Sequence, residues 1–338
     1  MQLWTISSAL STAILGYVLY QVWEKREKRS AILPPSHERI VILGASSVDG
    51  IGIAIARECL KRGSYNIMLV ARRSEALREV KRVLIEEQAT RSGRERADQI
   101  ELFVADCTNA DDVYRLQRSI TEDFGGVDTL YIVFGAIWTS PLLSVAGVDP
   151  CQDPHASSPS PTGLRAIADG VQQSCDANVK GTAMVLAALL PSMQTNSKAP
   201  HVAVVGSLAS LVPAPTRTVY CATKVAQQML VESVATECTT QAKVPGRALV
   251  KFVVLAPTTV ATSFRSRMSV GVNEKSKPTD PQRGRALTTQ EVAEEAIYCL
   301  EHSITGVRPM PHYYFWVWLL GPLIRGPLEI GAHRRYGY

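Results

Sequence analysis

Tyr220 and Lys224 stand four residues apart in the stretch VYCATKVA. On a helix, positions i and i+4 share a face. A phenol ordinarily releases its proton near pH 10, and a neighbouring ammonium favours the phenolate and lowers that value. The pair is therefore a candidate tuned proton donor. By itself Y-x-x-x-K describes an ordinary surface pair equally well, so the elements around it must decide.

From Arg39 onward short apolar runs alternate with helical spacing. RIVILGA, YNIMLVA, QIELFVADC, DTLYIVFGA, HVAVVGS and RALVKFVVLAP read as six strands. GIGIAIARECLKRG, SEALREVKRVLIEEQA, ADDVYRLQRSITEDFG, SCDANVKGTAMVLAALLPSM, the Tyr220 segment and TTQEVAEEAIYCLEH read as helices. Apolar strands alternating with helices imply an α/β fold, a single doubly wound parallel sheet covered on both faces. Ligands of such sheets bind at the carboxyl ends of the strands. Residues about 144 to 166, rich in Pro and Ser, read as a surface loop, and 263 to 286 as a second long loop.

The first strand runs into ILGASSVDGIGIAIA. Gly44, Gly50 and Gly52 allow a tight turn and close approach to a diphosphate at the positive end of the next helix, with Ser46 and Ile51 in the same cradle. The second strand ends in LVARR. Ala71 stands where an acid would receive the ribose 2′-hydroxyl of NAD, and Arg72 and Arg73 suit the 2′-phosphate of NADP. Two solvated arginines opening a helix would read the same way.

The ordered set resembles the short-chain dehydrogenase/reductase family over roughly residues 39 to 301. Gly44, Gly50 and Gly52 match the family's T-G-x-x-x-G-x-G. DANVKG supplies Asn178, VGSLAS supplies Ser207, Y-x-x-x-K is Tyr220 and Lys224, and PTTVAT resembles P-G-x-V-x-T. The resemblance implies an oxidoreductase that uses a nicotinamide dinucleotide, which Arg72 and Arg73 suggest is NADP. Tyr220 would be the general acid in carbonyl reduction and the base in the reverse direction. Lys224 would lower its pKa and hold the nicotinamide ribose. Ser207 would bind the substrate carbonyl, and Asn178 would hold a water in a proton relay behind Lys224. Asp106 would lie near the adenine, and Gly135, Val260 and Thr262 would complete the cofactor site. No metal is implied.

Three departures stand out. The glycine loop is two residues longer than the pattern, and its Val48-Asp49 puts a carboxylate near the diphosphate. Of the family's N-N-A-G after the fourth strand only Gly135 remains, in IVFG. Thr258 replaces the glycine of P-G-x-V.

Outside this unit, Leu3 to Trp23 carries no charge and EKREKR follows at once. The run is long enough for a bilayer core of about 30 Å, with aromatic residues at both ends. It reads as a single-pass anchor that leaves the main domain in the cytosol, with a cleaved signal or a buried helix as the other readings. The expected organisation is an anchor over 1–23, a basic linker over 24–38, a Rossmann-type NADP-binding domain over 39–305 and an apolar tail over 306–338. The tail segment HYYFWVWLLGPLIRGPLEI would lie in a membrane interface, close over a lipophilic pocket, or simply pack.

Among 338 residues, 46% are apolar and 20% charged, with net charge +5 and no basic run interleaved with aromatics, so no nucleic-acid footprint is seen. Seven scattered cysteines never form C-x-x-C, which fits a reducing compartment rather than a disulfide framework or zinc site. The expected activity is NADPH-dependent reduction of a lipophilic carbonyl compound, such as a steroid or lipid, at a membrane, with the endoplasmic reticulum the expected one. A homodimer is expected by analogy. The competing reading is a catalytically silent dinucleotide-binding scaffold or redox sensor at a membrane. A sugar epimerase would use the same Tyr–Lys pair but needs more chain after the sixth strand.

Overall fold

A computed structural model describes residues 28–92, 99–264, 269–270, 285–320, 326–327 and 329–331. The apolar run Leu3 to Trp23, residues 24–27 of the basic linker, most of the 263–286 loop and much of the C-terminal tail lie outside the described residues. Among the described residues no helix is long and apolar enough to cross a membrane.

Seven strands form one parallel sheet: β1 (Arg39–Leu43), β2 (Asn66–Ala71), β3 (Glu101–Val104), β4 (Thr129–Ile132), β6 (His201–Val205), β7 (Lys251–Pro257) and β9 (Gly306–Met310). Their order is β3-β2-β1-β4-β6-β7-β9, so the chain reverses direction across the sheet between β1 and β4. Two short strands, β5 (Ile137–Trp138) and β8 (Ser269–Val270), pair beside it.

Side chains alternate between the two faces of each strand. Ile40 and Ile42 of β1 pack under α2 (Ile51–Lys61) and α9 (Thr289–Glu301) through Ile53, Ile55, Val292 and Ala296. Val41 and Leu43 face the other way, towards α4 (Ala110–Glu122) and α7 (Gly181–Asn196), through Leu116, Val185 and Leu189. Burial on both faces explains why these strands read as continuous apolar runs. The helix α3 (Ser74–Ser92) follows β2, and α8 (Thr218–Gln241) follows β6.

The sheet extends past residue 305, where the sequence reading closed the domain. Gly306–Met310 pairs with β7 in register Val253↔Gly306 to Pro257↔Met310. Gly306, Arg308 and Pro309 hide this strand from a hydropathy reading, and an edge position tolerates the proline. The Pro/Ser-rich stretch also departs from a plain loop. It holds the end of α5 (Leu142–Ala146) and the start of α6 (Pro161–Cys175). The Ser160 hydroxyl accepts from Gly163 N at 2.9 Å, and Pro161 opens the first turn, as helix starts favour.

The amino ends of the strands are held by buried charge. In α1 (Arg29–Ile32), Arg29 pairs with Glu38 at 2.5 Å and donates to Thr129 Oγ1 at 2.9 Å. Arg62 pairs with the other oxygen of Glu38. The N-terminal described segment therefore docks at the amino ends of the strands, opposite the end that forms the cleft below.

Candidate active site

A cleft of about 640 Å³ opens at the carboxyl ends of the strands, where the sheet order reverses. Its floor begins where β1 ends. Gly44 adopts φ 99°, and a Cβ there would stand 2.5 Å from the backbone nitrogen of Phe134, so β1 and β4 can approach only through glycine. Gly52, in the first turn of α2, would press a Cβ to 3.0 Å from the Cα of Ala45. Helix α2 starts without a side-chain cap or an acid in its first turn, leaving its first N–H groups for an anion. Ser46, Gly50 and Ile51 line the cleft here.

Asp49 does not face a bound diphosphate unengaged. Its carboxylate accepts from the backbone N–H and the hydroxyl of Ser263, both at 2.9 Å, and from the Ser47 hydroxyl. The two extra residues of the glycine loop thus reach across to the segment after β7. That segment brings Thr258, Val260 and Thr262 to the cleft wall.

At the end of β2, Arg72 lies 3.7 Å from Asp106, and Arg73 donates to the carbonyl and hydroxyl oxygens of Ser46 at 3.2 Å each. Arg72 is more than half exposed, so this ion pair contributes little to stability and leaves the guanidinium available to a ligand. Asp106 also receives Thr108 N at 2.9 Å and its hydroxyl at 2.8 Å.

Asn178 lies on a π-helical turn, Asp176–Lys180, set between α6 and α7. Such turns re-aim side chains and recur at functional sites. The Asn178 side chain is fully buried and clamps the peptide after β4. Its Oδ1 accepts from Ala136 N, and its Nδ2 donates to Ala136 O and Thr223 Oγ1, all at 2.9 Å. A Cβ on Gly135 would lie 2.8 Å from that Oδ1. Asn178 therefore braces the sheet end where the N-N-A-G asparagine is missing. It and Gly52 stand behind the cleft wall, whereas Gly135, Ser207, Tyr220 and Lys224 line it.

Ser207 follows β6 and caps the short turn Leu208–Ser210, its hydroxyl oxygen accepting from Ala209 N at 3.2 Å. Tyr220 sits in the first turn of α8, after Thr216, a buried non-glycine residue at φ 64°. Backbone in this region is strained and persists where packing holds it. One turn on, Lys224 is 4% exposed, with Nζ 5.9 Å from the centre of the Tyr220 ring. Nζ donates to Val205 O at 3.1 Å and to Gln227 Oε1 at 2.8 Å. Burial pushes the Lys224 ammonium down from 10.5 to about 7. An ammonium has three donors, and these two acceptors leave one for a group in the cleft.

The residues that sequence reading missed are buried polar partners: Thr182, Thr223 and Gln227. Gln227 recurs at i+3 from Lys224, a spacing that places both on one helix face, and that was the available signal. Tyr314 from the C-terminal segment also reaches the cleft.

The glycine cradle, the uncapped helix start, the arginine pair and the buried lysine fit a nicotinamide dinucleotide. The sequence pattern of short chain dehydrogenases matches residues 38–271. An uncharacterized oxidoreductase of Staphylococcus saprophyticus is 25% identical over 262 residues, covering 77% of this chain and 90% of that protein. A short chain dehydrogenase/reductase from Burkholderia phymatum in complex with NAD superposes with TM-score 0.64 at 19% identity, over 85% of this chain and 94% of that one. An alcohol dehydrogenase from Thermococcus sibiricus complexed with 5-hydroxy-NADP gives TM-score 0.56 at 25% identity, over 81% and 95%. The chain belongs to the short-chain dehydrogenase family, oxidoreductases that bind a nicotinamide dinucleotide.

Proposed function

We propose that this protein is an NADPH-dependent reductase, reversible as a dehydrogenase, acting on a lipophilic ketone or alcohol such as a steroid or lipid. The observation that carries this reading is that Ser207, Tyr220 and Lys224 line one cleft, with the lysine buried one helical turn from the phenol.

When bound, the nicotinamide supplies or takes up a hydride; the chain handles the oxygen and its proton. The Ser207 hydroxyl donates to the carbonyl oxygen and stabilises the charge that develops there. The Tyr220 hydroxyl transfers its proton to that oxygen as the C=O bond becomes C–OH. Lys224 places a positive charge beside the phenolate this leaves. In oxidation the phenolate takes the proton from the alcohol. Asn178 acts here as a brace for Gly135 and Ala136, which shape the wall beside Lys224.

Preference for NADPH is supported by Ala71 in place of an acid and by Arg72 and Arg73 beside it, whose guanidinium groups suit a 2′-phosphate. A lipophilic substrate is supported by apolar lining from Ile137, Leu208, Val212, Phe264 and Tyr314. The uncharged Leu3 to Trp23 run would place the protein on the cytosolic face of a membrane, the endoplasmic reticulum. Exposed Val225 and Met229 on α8 would suit a homodimer.

The test is oxidation of NADPH and NADH by the full-length protein against a panel of hydrophobic ketones, with Tyr220→Phe in parallel. We expect turnover with NADPH that falls about 10²–10⁴-fold in the variant. Tight NADPH binding without turnover across the panel would instead favour the silent scaffold.

A further inference from the structure

Behind Lys224 lies a directional chain of buried hydrogen bonds. The Thr182 hydroxyl donates to Asn178 O at 2.9 Å. Having committed its hydrogen, that oxygen accepts from Gln227 Nε2 at 2.9 Å. The carboxamide is thereby oriented with its oxygen towards Lys224, whose Nζ donates to it at 2.8 Å. A flipped amide would set NH₂ against NH₃⁺ and leave two donors facing each other. Thr182, Lys224 and Gln227 are all at least 96% buried, so water competes little for these groups. Each bond polarises the next in the same sense, so the negative end of the chain faces the ammonium.

We propose that Gln227 is a positioning residue, set by Thr182 and the Asn178 carbonyl, that favours the charged form of the buried Lys224 side chain and fixes it beside Tyr220. This rests on the reading of Tyr220 and Lys224 given above and adds a component that reading does not contain. Without acceptors a buried ammonium sheds its proton. Gln227 opposes that loss with a neutral oxygen, which leaves no competing anion for the third N–H or for the phenolate.

Other titratable groups near this network contribute little. Tyr220 shares α8 with Lys224. Asp176 and Lys180, on the π turn, pair with each other at 2.7 Å. Arg165 and Asp169 on α6 are exposed, and His201 lies at the far end of β6. Among the described residues no charged neighbour contributes to the shift of Lys224, which follows from burial.

The experiment titrates Lys224 directly. Full-length protein carrying [¹³Cε]lysine is followed by NMR from pH 5 to 11 without cofactor, with Lys224→Met to assign the signal. Gln227→Leu should lower the midpoint by about one pH unit, the scale of a lost hydrogen bond to a charged group. Gln227→Glu, which retains the oxygen and adds charge, should raise it. Thr182→Val, which frees the amide to turn, should lower it by less than Gln227→Leu. If Gln227→Leu does not fold, Gln227→Met replaces it. A midpoint that moves by less than about 0.3 unit in the apolar variant overturns the proposal. The readout needs no turnover, so an inactive Tyr220 would show in the ketone assay and leave this result standing.

Discussion

The Asp49 carboxylate holds Ser263 by two hydrogen bonds of 2.9 Å, joining the glycine loop after β1 to the segment after β7, 214 residues later in the chain. A carboxylate that would repel a diphosphate is instead employed in tying two walls of the cleft together. Removing the Ser263 hydroxyl deletes one bond and leaves the charge in place. Ser263→Ala should therefore weaken NADPH binding about 3- to 10-fold, the range of one charge-assisted bond, and should do so most at low ionic strength. Asp49→Asn, which removes the charge and keeps an acceptor, should be milder. Fluorescence titration with NADPH at two salt concentrations measures both. Equal affinity of Ser263→Ala and the parent would refute the role assigned to this tie.

Arg72 and Arg73 are proposed to select the phosphorylated cofactor. Arg72→Ala should raise the KM for NADPH by roughly 10-fold or more while leaving that for NADH nearly unchanged, since only one cofactor carries the 2′-phosphate. Arg73→Ala should affect both, because Arg73 also holds Ser46 of the glycine loop. Steady-state kinetics with each cofactor separates the two patterns, and loss of NADH use in Arg72→Ala would contradict the assignment.

Glu38 is fully buried between Arg29 and Arg62 and also accepts from the Thr129 and Ser64 hydroxyls. Neutralising it leaves Arg29 without its carboxylate and Arg62 with only Glu301, 3.9 Å away, at the amino ends of the strands. Glu38→Gln should cost on the order of 3–5 kcal/mol of stability. Chemical denaturation gives the value; a loss under about 1 kcal/mol would mean that water reaches the guanidinium groups.

His201 makes the acid limb of stability testable. Burial first, and then the nearby Arg29 charge, push its imidazole down from 6.5 to about 3. Between those values the unfolded chain binds a proton that the folded chain does not. Stability therefore falls as pH drops from about 6.5 towards 3, by roughly 1.4 kcal/mol per unit from this group. His201→Leu should flatten that limb relative to the parent. Parallel slopes for the two proteins in urea unfolding between pH 6.5 and 4.5 would argue against a neutral buried ring.

Much of this protein is legible along the chain because the signals are local. Strands buried on both faces read as apolar runs, helices as 3.6-residue spacing, and Tyr220–Lys224 as one turn of a helix. Gly44, Ala71-Arg72-Arg73, Ser207 and Asn178 stand out by type and order, and the fold places them at or directly behind one cleft. The strand Gly306–Met310 stayed hidden because edge pairing, rather than hydropathy, makes it a strand, and the start of α6 stayed hidden in a stretch of Ser and Pro. What only the tertiary structure decided is how the polar groups pair. Asp49 meets Ser263, Arg73 meets Ser46, and Lys224 meets Gln227 and, through Thr182, the Asn178 carbonyl. Such bonds depend on directions within about an ångström between segments far apart in the chain, and periodicity carries no record of them. Burial lowers the proton affinity of Lys224, and that burial and the acceptors of its ammonium exist only once β6, α7 and α8 have packed together.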